Sequence, residues 1–353
     1  MAAYWLIYFL ISISAISFLW TRDSINSRLF SAFFILILTI FVGFRFEIGV
    51  DWKTYEIIFQ DLNRLTLVDA ILIGDPAYSA INWFVGELGG AVWHVNLICG
   101  AIFAILLIRF CGHFKEPATA LLAVFPLLVI ITAMGYTRQA VGIAFVLQAI
   151  VSFEGRLRWG WLGWLTAGLL FHKSVFILFP LFIISASRER VTSLVVGGGI
   201  ALILLLNVVL QGLEETLTLY VGSGLESSGT LFRAAIGAFS AMCFFLIPAR
   251  YEIFGQREIL WRNMSIFALA LFPLAVAAPS ATIIDRTGVL LIPLQAAVFS
   301  GIVTSQHKRP ATQLASVLAV VIITGFVMWG WFEFAQFSSY WLPYRNVLTE
   351  KFL

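Results

Sequence analysis

Charge is scarce in this chain. Only 12% of its 353 residues are Asp, Glu, Lys or Arg, about half the share of an ordinary soluble domain, which excludes a water-soluble globule built around one core. The formal net charge of +3 is small and scattered, and this excludes nucleic acid as a partner. Cysteine is rare too: Cys99, Cys111 and Cys243 all lie in or beside apolar segments without metal spacing, so they read as buried, inert thiols. No HExxH or CxxC motif occurs, so nothing points to zinc or to a resident cofactor. Internal repeats and low-complexity tracts are missing as well, and residues 1–353 read as one domain.

What the chain does have is apolar bulk. Hydrophobic residues make up 61%, with 33 Phe and 12 Trp, and the mean hydropathy is +0.96. The apolar runs are continuous over helix-length windows, which excludes a transmembrane β-barrel and predicts an all-α, polytopic transmembrane helical bundle. Ten windows reach the length of a full span, near residues 2–20, 29–44, 93–111, 118–135, 137–153, 193–210, 231–248, 263–280, 287–305 and 313–332. The first has no positive residues before it and no small-residue cleavage site after it, so it is expected to be retained as a helix. An eleventh apolar stretch, 159–184, is broken at His172, Lys173 and Ser174. Each of its halves covers only about 18 Å as a helix, so a short helix pair or a re-entrant hairpin is expected there.

Orientation follows from Lys and Arg in the short loops. Thirteen of the 22 basic residues fall on one side: Arg22, Arg28, Arg109, Lys115, Arg156, Arg158, Arg188, Arg190, Arg250, Arg257, Arg262, Lys308 and Arg309. That side is assigned to the cytoplasm. Both termini and the loops 45–76 and 211–230 then lie outside, and the segment 77–93 is expected to be an interfacial helix.

Charged groups at membrane depth cost roughly 3 kcal/mol each on insertion scales, so those that persist need a reason. Four clusters share the predicted outer side: Arg45 to Tyr55, Tyr136 to Gln139, His172 to Ser174, and Asp285 with Arg286. Ordinary explanations exist for each. Arg45 to Tyr55 can be a wet loop capping a helix, Arg138 can snorkel to lipid phosphates, a lone His is commonly packed and hydrogen-bonded, and Asp285 can neutralise Arg286. The functional reading is a site for an anionic, hydroxyl-rich substrate. Arginine suits diphosphate because two parallel N–H groups meet two oxygens, and a partly buried carboxylate or a neutral imidazole can take a proton.

Five segments together resemble the EpsG-type members of the Wzy-like polysaccharide polymerases: GFRFEIGVDWKTY (43–55), DPAYSAINWF (75–84), YTRQAVGIAF (136–145), FHKSVFILFP (171–180) and the DR pair at 285–286. The resemblance implies a membrane glycosyltransferase of GT-C-like architecture acting in exopolysaccharide or O-antigen assembly, at the outer face of a bacterial cytoplasmic membrane. Its substrates would be oligosaccharides carried on undecaprenyl pyrophosphate, with the growing glycan passed to a sugar hydroxyl of the next lipid-linked unit. A chain-length regulator is a partner the resemblance admits.

On that reading Asp51 is the first choice for the acceptor base, with His172 second and Glu47 third. Arg138 and Arg286 are assigned to pyrophosphate, with Arg45 and Lys173 as further candidates; Tyr55, Tyr136, Gln139 and Asp285 are assigned to binding and orienting sugar. In-line displacement without a metal predicts inversion at the anomeric carbon. Two other classes remain open at this point: a transporter or flippase of the same lipid-linked glycan, and a metal-dependent membrane glycosyltransferase that uses a polyprenyl monophosphate sugar, with a divalent cation on Asp51 and Glu47.

Overall fold

The computed structural model describes residues 1–19, 24–153, 160–186, 229–248, 250–277, 282–306 and 309–351. The expected span 193–210 and nearly all of the expected outer loop 211–230 lie outside the described residues, as do the basic residues Arg22, Arg156, Arg158, Arg188, Arg190 and Lys308.

Among the described residues the fold is all helical. In hydrocarbon a helix satisfies its own backbone, and the apolar composition therefore emerges as helices rather than sheet. The chain begins with α1 (Ala2–Ser17) and α2 (Ser24–Leu38), the second running on into a π-helix at Thr39–Gly43. Three short helices follow, α3 (Trp52–Leu62), α4 (Leu67–Ile73) and α5 (Pro76–Glu87). Then come α6 (Val92–Cys111), α7 (Pro117–Val124) with a π-helical continuation at Phe125–Ala133, and α8 (Thr137–Ser152). Pro126 sits at the start of that π-helix, where its missing N–H and its ring disrupt ordinary α-helical bonding.

The interrupted stretch is α9 (Gly160–Phe171), a break at His172, a 3₁₀ turn at Lys173–Leu178, and α10 (Phe179–Ala186). Next come α11 (Thr230–Leu246), α12 (Arg250–Phe254) and α13 (Glu258–Ala277). The last are α14 (Thr282–Leu290), α15 (Pro293–Ser305), α16 (Pro310–Phe334) and the short α17 (Val347–Lys351).

Among the described residues, three continuous segments are long and apolar enough to cross a bilayer: Val92–Cys111, Arg250–Ala277 and Pro310–Phe334. The expected span 287–305 is instead a pair, Ile284–Leu290 and Pro293–Ser305, bent by 40°, with Pro293 at the start of the second helix. The remaining apolar helices are shorter, from 10 to 17 residues. The chain is an integral membrane protein, and its helices are more often short or broken than the apolar windows implied.

At the centre lie α7 with its π-helix, α8 and α15, which are buried almost all round. A helix apolar on every face belongs in such a position. α15 and α16 pack against α7, α1 closes on α7 and α16, and α6 and α9 pack against α8. Gly168 lets α9 approach α8, because a Cβ there would stand 2.9 Å from the carbonyl oxygen of Gly142.

The expected outer loop 45–76 is folded, chiefly as α3 and α4. Trp52, Tyr55 and Leu62 turn inward from α3, a helical spacing that buries one face. Thr66 caps α4 by accepting the Asp69 N–H at 3.2 Å while its hydroxyl donates to the Asp69 carboxylate at 2.7 Å, and Pro76 opens α5, both ordinary helix-start chemistry. Trp52, Tyr55 and Tyr78 join Val95, Val141 and Phe171 in a second apolar cluster. Through it the α3–α5 layer is seated on one end of α6, α8 and α9.

Candidate functional site

Under this layer lies a cavity of about 530 Å³. Three of the four polar clusters put side chains into its wall: Asp51 and Tyr55 from the α3 region, Tyr136, Arg138 and Gln139 from the start of α8, and Asp285 and Arg286 from α14. His172, at the break after α9, represents the fourth. The other wall is aromatic and comes from the end of α16 and the segment after it, with Trp331, Phe334, Phe337 and Trp341. Helix α8 runs from this cavity to a second, smaller one of about 140 Å³ that is lined by Ile150 and Val151 and by the basic residues Lys115 and Arg257. Thirteen residues of helix, about 20 Å, thus separate the polar cavity from the end of the bundle that carries these cytoplasm-assigned cations.

Arg138 donates from Nη1 to the Asp75 carboxylate at 2.9 Å, and the two side chains are 30% and 15% exposed. Its guanidinium also lies 5.8 Å from the ring centres of both Tyr55 and Tyr78, a distance at which a cation is attracted to an aromatic face. The Nε of Arg138 is buried and has no hydrogen-bond partner among the described residues. Asp75, which starts α5, is also approached by the backbone N–H of Lys173. Burial pushes its carboxyl above the usual range, while Arg138 and Lys173 pull it back. One carboxylate therefore ties α5, α8 and the break after α9 together.

Asp51 lies half-buried in the cavity wall just before α3. Burial raises its pKa, and the positive charges of Arg138 and Arg286 oppose that rise. Tyr55 beside it is pushed up to about 12, chiefly by burial and then by Asp51, so it presents a neutral phenol.

Asp285 does not neutralise Arg286. It accepts from Nε and Nη2 of Arg233 on α11, and Arg286 is exposed, with no ion-pair partner among the described residues. The Arg286 backbone carbonyl accepts from Gln139 Nε2 at 3.3 Å, which fixes the start of α14 against α8. The Nδ1 of His172 accepts the Ser174 backbone N–H at 3.1 Å and lies 2.7 Å from its hydroxyl. An Nδ1 used as acceptor leaves the proton of a neutral ring on Nε2. His172 then offers a donor rather than a free basic nitrogen.

Three nominated residues stand apart from the cavity wall. Arg45 is 1% exposed and is consumed by the scaffold. Its guanidinium donates to the carbonyls of Met134 and Val42 at 3.0 and 2.7 Å, and to the side chains of Asn96 and Thr137 at 3.1 and 2.5 Å. Glu47 has a left-handed backbone, φ 52°, and turns outward to Arg345 at 2.7 Å. Lys173 is exposed and does not line the cavity; its backbone N–H bonds Asp75, and the charge of its ammonium group also acts on that carboxyl.

The chain around Arg45 is pinned by the C-terminal segment. Phe46 N–H donates to the Arg345 carbonyl at 3.1 Å, Val347 N–H to Phe44 at 2.8 Å, and Gly49 N–H to Tyr340 at 3.1 Å. Gly49 has φ 99°, and a Cβ there would fall 2.3 Å from the Met134 carbonyl oxygen, so only glycine fits.

Sequence reasoning passed over three features. Arg233 stood inside an apolar window, a signal in itself; Asp75 was visible as an acid before a proline; and the aromatic end of α16 was hidden among many other aromatics. Among the described residues no group of three or more His, Cys, Asp and Glu side chains is close enough together to hold a metal ion. In chemical terms the site combines three guanidiniums, one raised carboxyl, one imidazole donor and an aromatic wall, an arrangement suited to binding a polyanion that carries sugar.

The chain matches no curated protein and no solved structure. The sequence profile of the EpsG family, by contrast, covers residues 28–346, the whole of the cavity wall included, and the chain belongs to that family.

Proposed function

We propose that this protein is a polysaccharide polymerase that elongates a glycan carried on undecaprenyl pyrophosphate. The acceptor is a sugar hydroxyl of the next lipid-linked repeat unit. Family membership supports the polymerase class. The observation that carries the mechanism is the meeting, in one cavity, of Asp51 with Arg138, Arg233 and Arg286.

In the proposed reaction the acceptor oxygen attacks the anomeric carbon of the growing chain, and the bond from that carbon to the diphosphate oxygen breaks with its electron pair. The polyprenyl diphosphate leaves, the hydroxyl proton passes to Asp51, and the single in-line displacement inverts the anomeric centre. A carboxyl whose pKa is raised by burial is a stronger base once ionised. Arg138 and Arg286 stabilise the charge that develops on the diphosphate; fixed donors aimed at such charge commonly contribute more to catalysis than any other single effect. Arg233, held by Asp285, adds positive potential at the same wall. His172 donates through Nε2 to a phosphate or sugar oxygen, Tyr55, Tyr136 and Gln139 orient sugar, and the α16 aromatics offer it a stacking surface.

The proposal includes a polytopic, single-domain, GT-C-like bundle in the cytoplasmic membrane, with the cavity open to the exterior. Supporting this orientation, Lys115 and Arg257 line the cavity at the far end of α8, on the side that charge counting assigns to the cytoplasm. The test is reconstitution in vesicles with lipid-linked glycan extracted from cells that lack the protein. Elongation to a ladder of longer glycans, with chelator present, supports the reading. Movement of the glycan lipid across the bilayer without elongation would replace it with a transporter, and elongation that stops in chelator would replace the metal-free mechanism.

A further inference from the structure

The polar cavity does not end blindly. Phe232 of α11 lines both it and a neighbouring groove of about 220 Å³. The two spaces follow one another along the same helices. On α11 the cavity takes Gly229, Phe232 and Arg233, and the groove takes Phe232, Ala235 and Phe239. On α16 the order runs the opposite way along the chain, with Gly330 and Trp331 at the cavity and Val327 and Ile323 at the groove. From Phe232 to Phe239, and from Gly330 to Ile323, each helix advances seven residues, about 10 Å. α11 packs on α13, α14 and α15 while α16 packs on α1, α7 and α15, so a slot remains between them.

The chemistry changes sharply along this slot. At its head stand the cations Arg233 and Arg286. Beyond Phe232 the only polar side chains in the groove wall, among the described residues, are Gln295 and Thr324. Gln295 is 4% exposed, and the Thr324 hydroxyl is occupied with the Val320 carbonyl at 2.7 Å and with Tyr8 at 3.0 Å. The groove therefore asks nothing polar of an occupant. Phe232 and Phe239 are 41% and 42% exposed, so the slot opens sideways toward lipid.

We infer that this groove seats the first part of the polyisoprenoid chain of the lipid-linked substrate, with its diphosphate at Arg286 and Arg138, flanked by the Asp285-paired Arg233. The inference rests on the polymerase reading for the identity of the headgroup and adds where the tail leaves the protein. A chain emerging between α11 and α16 stays in the bilayer while its glycan occupies the aqueous cavity. The diphosphate is thereby fixed at the boundary of the two media.

The test is photocrosslinking of the full-length protein in vesicles to radiolabelled undecaprenyl diphosphate. p-Benzoylphenylalanine replaces Ala235 or Val327 in the groove, and Ile266 or Leu318 on the outer surface, where those side chains are 54% and 42% exposed. Groove positions are expected to label about ten-fold more than surface positions, a preference of about 1.4 kcal/mol. Excess unlabelled undecaprenyl diphosphate should abolish the signal, and phosphatidylglycerol should not. Equal labelling at all four positions, or displacement by phosphatidylglycerol, overturns the inference. Groove labelling without glycan elongation by the wild-type protein overturns the polymerase reading alone, and elongation with uniform labelling overturns the groove alone.

Discussion

Arg138 and Asp75, 63 residues apart in sequence, meet at 2.9 Å where the α3–α5 layer joins α8. The pair places the guanidinium at the cavity wall and links the first turn of α8 to the start of α5. Removing the carboxylate should leave Arg138 in place chemically but free to swing. Asp75→Asn is expected to lower kcat/KM for elongation about ten- to a hundred-fold, the worth of a charged hydrogen bond of about 1.5–3 kcal/mol. Asp75→Glu should retain more activity than the Asn variant. The check is initial elongation rate at equal protein level.

Arg138→Ala and Arg286→Ala are expected to lower kcat by about 10²- to 10³-fold each, the usual effect of losing one donor to developing charge. Lys at position 138 should restore little, because an ammonium lacks the planar fork. Accumulated lipid-linked repeat units in membranes are the readout.

Arg45 separates structure from chemistry. Its guanidinium satisfies four buried or partly buried acceptors, and each buried polar group left unmet costs about 1–3 kcal/mol. Arg45→Ala is therefore expected to reduce the yield of folded protein and lower the Tm in detergent. Glu47→Gln, which disturbs only the half-exposed pair with Arg345, should leave both elongation rate and Tm near wild type.

His172 is predicted to act through Nε2–H. His172→Gln can place an amide N–H near that position, whereas the shorter Asn places one near Nδ1, where Ser174 already donates. Elongation should fall less in the Gln variant than in the Asn variant, measured at saturating substrate.

How far the site could be read from sequence depended on the kind of residue. Arg138, Asp51, His172 and Arg286 stood out because an ionisable or imidazole group in an apolar setting is costly, and charge counting put them on one side before any contact was known. Side-chain direction was not readable. Arg45 and Glu47 lie within six residues of Asp51, yet one is folded into the scaffold and the other turns outward to Arg345. The partners that decide this, Met134, Asn96 and Arg345, are remote in sequence. Spans were read well where apolar runs were long, as at Val92–Cys111 and Pro310–Phe334. The π-helix at Pro126 and the 40° bend at Pro293 were not readable, because hydropathy does not register backbone geometry. α3 and α4, within the expected loop 45–76, went unread because helices of 11 and 7 residues are too short to register as apolar windows, whereas a helix was expected where α5 lies.

Asp51 bears the central claim. Burial raises its pKa above the ordinary 3.8, so the carboxyl keeps its proton to higher pH, and only the ionised form accepts one. Elongation should therefore fall as pH is lowered through this raised pKa and level off above it. The direct measurement is glycan elongation by reconstituted Asp51→Asn protein alongside wild type, with Tm and undecaprenyl diphosphate binding followed in the same samples. The account predicts that Asn at 51 binds the lipid and is at least as stable, since a partly desolvated carboxylate has been removed, yet lacks elongation and its acid limb. Wild-type elongation by that variant, with the pH profile unchanged, would contradict it.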